Sequence, residues 1–496
     1  MEHWILVYGL VKEDEEAKAV SPLISAEKRI MWVKRIRGFW QEFGRKKIGV
    51  IGLFLLVFFV VMAVFAPWLT PYQPLSSKRV ATGFAVPEWI RILPESQNLP
   101  STHSMSFYWE KGEESEFIKA WGHNVEAQFE AETMETVYVR FNASISYPET
   151  SPPDEFYITF VWSAEQINDI EYLLKMIVVN PKGEDFLLWT EGWNTKNKGQ
   201  NVYQNSYDPL LMDRLGLKLG VDNLAHNIFS EKGEYNFTLQ MALKPQTENA
   251  EATITLQNAN LVTLGSVHGI LGTDNQGADI WAQVVYGARI SLTIGLLAAI
   301  LETIIGITVG VFAGYLGGPV DEILMRIVDI LLCLPLLPLL LALVALFGAN
   351  VMYIVLFVAI FGWQSLSRIV RSHVLSLRET SFIECARAAG ATRFYIIIKH
   401  MIPNVLPIAF ASMVLSVPSA ILFEATLSFL GFGDPSAPTW GRMLSYAFGA
   451  GGFTHEPIAW WWVLPPGLAI TFLCLAFVFM GHAVDEVINP RLRRRR

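Results

Sequence analysis

Six apolar runs constrain this chain more than any other feature. They are Ile48–Phe65, Ile290–Ala313, Ile327–Phe347, Val351–Leu366, Ile408–Phe429 and Val463–Met480. Each approaches the roughly 20 residues that a helix needs to cross a bilayer core. Hydrocarbon offers no water to backbone amides, so runs of this kind cross as helices. A hydrophobic content of 52% over 496 residues excludes an ordinary soluble enzyme. The expected fold class is an α-helical polytopic membrane protein of six transmembrane helices. Between the first and second runs it carries an inserted extracytoplasmic all-β, sandwich-like domain.

Charge orients the runs. The net charge of −8 hides an asymmetry. Thr70 to Val285 holds 14 Lys and Arg against 28 Asp and Glu, a net of −14, so the remainder is +6. An acidic external domain on a basic-inside membrane protein gives that pattern. It excludes a nucleic-acid binder. Lys46 and Lys47 precede the first run, and Arg368, Arg371, Arg378, Arg387, Arg393 and Lys399 lie between the fourth and fifth. The tail ends Arg491-Leu492-Arg493-Arg494-Arg495-Arg496. Gly431–Trp461 has Arg442 as its only Lys or Arg. Both termini are therefore expected in the cytoplasm, in contact with membrane lipid.

Residues 75–267 differ in composition and contain no run long enough to span. Thr136–Ile145, Phe156–Trp162, Leu173–Val179, Tyr235–Met241 and Ala252–Leu256 alternate or are β-branched. Ser151-Pro152-Pro153-Asp154, Asn180-Pro181-Lys182-Gly183 and Glu231-Lys232-Gly233-Glu234 supply turns between them. This pattern predicts short antiparallel strands in a sandwich. Asn142-Ala143-Ser144 and Asn236-Phe237-Thr238 are glycosylation sequons, usable only outside the cytoplasm. Trp109, Trp121, Trp162, Trp189 and Trp193 could line a sugar or peptide platform; sandwich core is the simpler expectation.

The amino-terminal run Trp4–Val11 is too short to span, and no small-residue cleavage site follows it. Ala26–Lys47 is basic, with Ile30, Val33, Trp40 and Phe43 roughly on one face, and reads as an interfacial helix. Cys333, Cys385 and Cys474 lack metal-ligand spacing, and none lies in the acidic region. The nine histidines are scattered. GxxxxGK[ST], GxSxG and HExxH are all missing from the sequence. No cofactor and no metal is expected on this chain.

The most specific local signal is Glu384–Pro403, ECARAAGATRFYIIIKHMIP. It is polar and basic and lies between two apolar blocks. Ala386 follows Glu384 at the third position, Gly390 lies six residues after the Glu, and Ile402-Pro403 begins twelve residues beyond the Gly. Ile383, Ala386, Ala389 and Gly390 fall on one small face. Arg387, Arg393, Lys399 and His400 keep the stretch charged. Gly390 permits a turn or a close approach, and Pro403 is expected to end a helix and begin the next span.

This stretch resembles the EAA loop of membrane subunits of binding-protein-dependent ABC importers. FWQEFGRKK followed by the first run and FAPWLTPYQP resembles the amino-terminal module of the dipeptide/oligopeptide/nickel permeases. Leu271-Gly272-Thr273-Asp274, Gly277-Ala278-Asp279 and Tyr286–Leu292 resume that pattern. One departure is Ala278, where the family usually has Arg. The resemblance, to the C-type subunit, covers roughly Phe39–Pro74 and Gly269–Arg493. It implies a type I permease fold and a cytoplasmic pair of short helices that docks on an ATPase subunit. The coupling residues it implies are Glu384, Ala386, Arg387, Gly390, Thr392, Arg393, His400 and Pro403. It implies a heterodimer with a second permease, two ATPase subunits that bind ATP and Mg, and an external substrate-binding protein. The chain itself would be no enzyme. The substrate would be peptides, oligosaccharides or nickel.

Charged groups at bilayer depth normally face a bundle interior or a water path. Glu302, Asp329 and Glu424 are therefore candidates for the translocation path, with Glu424 at a position where the family tends to carry Glu. Trp440, within Pro438-Thr439-Trp440-Gly441, is a further candidate; it and Trp461-Trp462 are expected chiefly as interfacial anchors. The expected organisation is a cytoplasmic segment 1–47, a first span 48–69, the insert 75–267, a permease core 268–487 with its coupling loop at 373–403, and a basic tail 488–496. Two other classes compete. One is an ion-coupled carrier using the three carboxylates, for which no inverted repeat is visible. The other is a receptor or enzyme formed by residues 75–267 and merely anchored by helices.

Overall fold

The structure, a computed structural model, describes residues 37–488 apart from 76–77, 112–117, 122, 132 and 457. The first part of the expected interfacial helix and the basic tail lie outside the described residues; 37–44 are helical. The chain divides into two compact units. One holds the described residues up to Leu69, with Val284–Ser445 and the residues from Pro466 onward. The other holds Thr70–Gln283 and Tyr446–Pro465.

The first unit is helical. Among the described residues four helices are long and apolar enough to cross a membrane, or up to six if each of two bent pairs is one span. The four are Lys47–Val64, Ile280–Leu316, Arg393–Phe432 and Trp460–Val487. The run expected as a third span, Ile327–Phe347, is not one straight helix. Gly318–Cys333 and Leu336–Phe347 meet at 87°. The cause is local: Leu334 precedes Pro335, which pushes it to an extended ψ of 132°. The fourth run, Val351–Gly362, bends by 40° into Gln364–Arg378. Pro403 does not end a helix either. Its missing N–H leaves no donor for the Lys399 carbonyl, and a single π-turn, Ile397–Met401, takes up the irregularity there. The helix then continues as Ile402–Leu427.

Among the described residues the second unit contains eleven strands: β1 (His103–Ser106), β2 (Glu110–Lys111), β3 (Ile118–Trp121), β4 (Asn124–Glu130), β5 (Val137–Tyr147), β6 (Glu155–Asn168), β7 (Ile170–Val179), β8 (Asp185–Asn194), β9 (Lys198–Asn205), β10 (Gly233–Pro245) and β11 (Glu251–Leu264). One sheet runs β3-β4-β11-β6-β9, with β1 also on β11. The other runs β2-β5-β10-β7-β8. All pairings between these strands are antiparallel. Alternate residues of β5 and β7 are buried, which is the period-two pattern of half-buried strands.

Inner faces of both sheets share one core, built on Phe107, Trp109, Phe141, Tyr147, Trp162 and Phe237. Phe107 and Trp109 stack at 5.1 Å. Trp109 and Trp162 are thus core rather than platform, and Trp189 packs against the same core. Trp193 is exposed. The two sequons lie on neighbouring strands, with the Thr238 hydroxyl donating to the Asn142 side chain at 3.0 Å.

Residues expected as a bare loop, 431–461, contain the helix Trp440–Gly449. Trp461 and Trp462 are each only 1% exposed. A lipid-facing anchor would be open on one side, whereas the Trp461 indole faces inward and donates to the Thr273 carbonyl. Asp279, beside the substituted Ala278, receives the Trp281 amide at 3.0 Å and the Thr70 hydroxyl. Burial pushes its carboxyl up to about 6, against those hydrogen bonds and with help from neighbouring Asp274.

Candidate functional site

The stretch around Glu384 folds as a helical hairpin. Ser381–Ala388 is its first helix. Two hydrogen bonds close that helix: the Gly390 amide reaches the Arg387 carbonyl at 2.9 Å, and the Ala391 amide reaches the Ala386 carbonyl at 3.0 Å. This is the Schellman pattern, which needs a left-handed residue after the cap. Gly390 supplies it with φ +83°. No heavy atom would lie within 4 Å of a Cβ added there. The glycine is therefore required by the turn, not by close packing inside this chain. Thr392 caps the second helix, Arg393–Ile396, its hydroxyl accepting the Tyr395 amide at 3.3 Å.

One side of the hairpin is anchored. Ile383, Ile396, Ile397 and Met401 are buried with Val370 and Val374, and Ala386 packs against that cluster. Ile383 and Ala386, which share a helix face, thus both face the bundle. The other side is open: Glu384, Arg387, Ala388, Ala389 and Gly390 are exposed. So are Phe382, Phe394, Tyr395 and Ile398. These four large apolar groups escape a motif-based reading, although the aromatic pair in Arg393-Phe394-Tyr395 was visible. His400 sits between two rings, 6.1 Å from Phe382 and 5.9 Å from Tyr395.

Beside the hairpin lies a pocket of about 400 Å³ lined by Tyr315, Leu316, Arg378, Arg387, Ala391, Arg393 and Ile396. The Arg387 guanidinium lies 5.6 Å from the centre of the Tyr315 ring. Three guanidinium groups around one cavity give it the chemistry to pair with an anionic group.

The four path candidates are not brought together. Glu302 is 8% exposed and lines a separate pocket of about 270 Å³ with Thr303, Ser365, Ser412 and Ser416. A Cβ on Gly362 would overlap the Glu302 carboxylate, so the glycine makes room for the acid. Asp329 instead pairs with Arg368, and both are about half exposed. A second pair, Arg371 with Asp321, joins the same two helices through two hydrogen bonds, one of 2.6 Å. Glu424 is buried and accepts the Ser428 hydroxyl at 2.6 Å. Trp440 is fully buried, donates to the Val284 carbonyl at 2.9 Å and packs edge-on against Phe59. It holds elements together and lines none of the cavities described here.

No group of three or more His, Cys, Asp or Glu side chains able to hold a metal occurs among the described residues.

Comparison with known proteins assigns the helical unit. Residues 306–494 match the family model described as binding-protein-dependent transport system inner membrane component. Residues 34–83 match the N-terminal TM domain of oligopeptide transport permease C. The dipeptide transport system permease protein DppC of Bacillus subtilis is 36% identical over 225 residues, 45% of this chain and 69% of the relative. The oligopeptide transport system permease protein OppC of Haemophilus influenzae is 36% identical over 224 residues, 45% of this chain and 70% of the relative. Among solved structures, the inward-facing MetNI methionine ABC transporter overlaps 42% of this chain and 94% of its own at 18% identity, with a TM-score of 0.33. A mutant of a family 29 carbohydrate binding module overlaps 33% of this chain and 94% of its own at 8% identity, with a TM-score of 0.18. Neither score establishes a shared fold. The two permease relatives do establish the family: this chain belongs to the membrane permease subunits of ABC importers, in which separate subunits hydrolyse ATP.

Proposed function

We propose that the chain is one half of the translocation pathway of a type I importer. It would work with a second permease, two ATPase subunits and an external substrate-binding protein. The hairpin Thr380–Ile396 is the observation that carries this reading. It is anchored on one side, exposed on the other, and flanked by a pocket of three arginines. The exposed Phe382, Phe394 and Tyr395 suit a hydrophobic seat on a partner, and the arginine pocket suits an acidic side chain of that partner. Glu384 suits a basic one. Closure of ATP-loaded subunits would push on this hairpin, and the π-turn continues directly into Ile402–Leu427, so force enters the membrane bundle there.

With each bent pair taken as one span the chain would have six spans, and the distribution of Lys and Arg supports both termini in the cytoplasm with residues 75–267 outside. The names of the relatives favour peptides as cargo; oligosaccharides are the second candidate. Glu302, in its hydroxyl-rich pocket, is the path candidate with room beside it for a cationic or hydrogen-bonding group. Glu424 would act as a buried brace, and Trp440 likewise.

The Glu302 pocket also gives the ion-coupled alternative its one foothold. Uptake of a labelled tripeptide by proteoliposomes holding all subunits separates the two. With ATP inside and the proton gradient collapsed by an uncoupler, uptake continues. Loss of uptake under those conditions overturns the ATP-driven reading.

A further inference from the structure

A groove of about 560 Å³ lies on the outer face of the six-stranded sheet, and the transport reading does not use it. Its floor comes from Tyr157 and Thr159 on β6, Tyr203 on β9, and Asn260 and Val262 on β11. Strand register gathers them: Tyr203 stands opposite Thr159, Thr159 opposite Asn260, and Tyr157 opposite Val262.

An irregularity in β11 makes this possible. Ala252, Ile254 and Leu256 point into the core, and so do Ala259 and Leu261. The switch from even to odd positions comes from a bulge between Gln257 and Asn260, with Asn258 at φ +54°. Had the alternation of Ala252, Ile254 and Leu256 run on unbroken, position 260 would face the core. A bulge re-aims side chains in this way beside binding sites.

The floor residues are aromatic or uncharged, and Lys78 and Arg79 contribute to the lining. Tyr157 and Tyr203 stack with ring centres 5.2 Å apart. Tyr203 is 56% exposed. The Asn260 amide donates to the Ser104 hydroxyl at 3.0 Å and can accept from a ligand. Arg79 is closed on Glu155 by two hydrogen bonds, and Lys78 is engaged as well. Burial raises both phenols above their ordinary value, so they remain neutral donors. β6 and β11 are interior strands bonded on both sides, so among the floor strands an extended peptide could join only at the outer edge of β9.

We infer that this groove binds a neutral oligosaccharide, with a sugar ring against Tyr203 and hydroxyls bonded by Thr159 and Asn260. Its volume lies within the range of small-ligand sites. An aromatic face covers the apolar side of a sugar ring while its rim keeps hydrogen bonds available. The inference is independent of transport: a chain unable to move cargo would still bind.

The test uses the full chain in phosphatidylcholine nanodiscs, free of glycoside detergent. Neutral hexasaccharides (β-1,4-glucan, β-1,4-mannan and α-1,4-glucan) and an uncharged hexapeptide are titrated by calorimetry. At least one saccharide binds with Kd below about 1 mM. Tyr203→Ala weakens it at least about tenfold, whereas Tyr203→Phe stays within about threefold, because the ring is kept. The exposed position of Tyr203 leaves folding intact, which circular dichroism checks. Absence of binding by all three saccharides overturns the inference. So does affinity unchanged in both Tyr203→Ala and Asn260→Ala, and so does the peptide binding in the saccharides' place.

Discussion

The hairpin at Ser381–Ile396 and the groove on the β6–β11 sheet carry their information in opposite ways. The hairpin's signal is local. A Glu, an Ala, a left-handed Gly and a capping Thr within nine residues specify two short helices and the turn between them. The groove's signal is distributed. Tyr157, Tyr203 and Asn260 are over 100 residues apart at the extremes and meet only through register and one bulge. A motif can therefore announce the first site, and nothing short of the sheet topology announces the second.

Four changes sharpen that contrast, beginning with the largest effect. Gly390→Val places a β-branched residue at φ +83°, a strain of about 1–2 kcal/mol that turns the hairpin's exposed face. Tripeptide uptake is abolished, while capture by the external binding protein, read by equilibrium dialysis, is unchanged. Normal uptake would remove the hairpin from the coupling path.

Trp162→Ala empties the sandwich core and costs about 3–5 kcal/mol, seen as early unfolding of the β unit in a denaturant titration. Unchanged unfolding would contradict Trp162 as a core residue.

A smaller effect comes from Asp279, whose carboxyl burial pushes up from 3.8 to about 6. The folded state holds this proton more tightly than the unfolded chain. Its contribution to stability is full below about pH 4, falls as pH rises towards 6, and is level above that. Asp279→Asn flattens this part of the stability profile, read by thermal melting across pH 3.5–7.5. A slope unaffected by the substitution would assign it to another group.

The smallest effect belongs to Asp329. Its pair with Arg368 is about half exposed, so Asp329→Asn changes stability by no more than about 1 kcal/mol and leaves uptake near wild type. A large transport defect would return Asp329 to the translocation path.

Reading from sequence succeeded where one physical rule dominates. Alternation revealed β5, β6, β7, β10 and β11, because their inner faces are uniformly apolar. It missed β8 and β9, whose exposed positions are mixed. Hydropathy located the apolar helices but not their bends. Pro335 was present in the sequence, yet only the packed helices reveal the 87° turn that it initiates. In the hairpin, spacing pointed to Glu384, Ala386 and Gly390, and the resemblance added Thr392. Spacing put Ile383 and Ala386 on one face but could not say that the bundle covers them, because periodicity does not identify the neighbour. Glu302 stood out as a charge in an apolar run. The space that Gly362 leaves for it, and the hydroxyls of Ser412 and Ser416, arrive from distant parts of the chain.

The central claim is that the open face of the hairpin is covered by an ATPase subunit. Cys385 is exposed on that hairpin and reports on it directly. With Cys333→Ser and Cys474→Ser in place, maleimide labelling of Cys385 is timed in the permease alone and in the assembled transporter. The account predicts fast labelling of the free permease and at least about tenfold slower labelling in the assembly, as expected for a thiol buried at an interface. Equal rates in the two would contradict it.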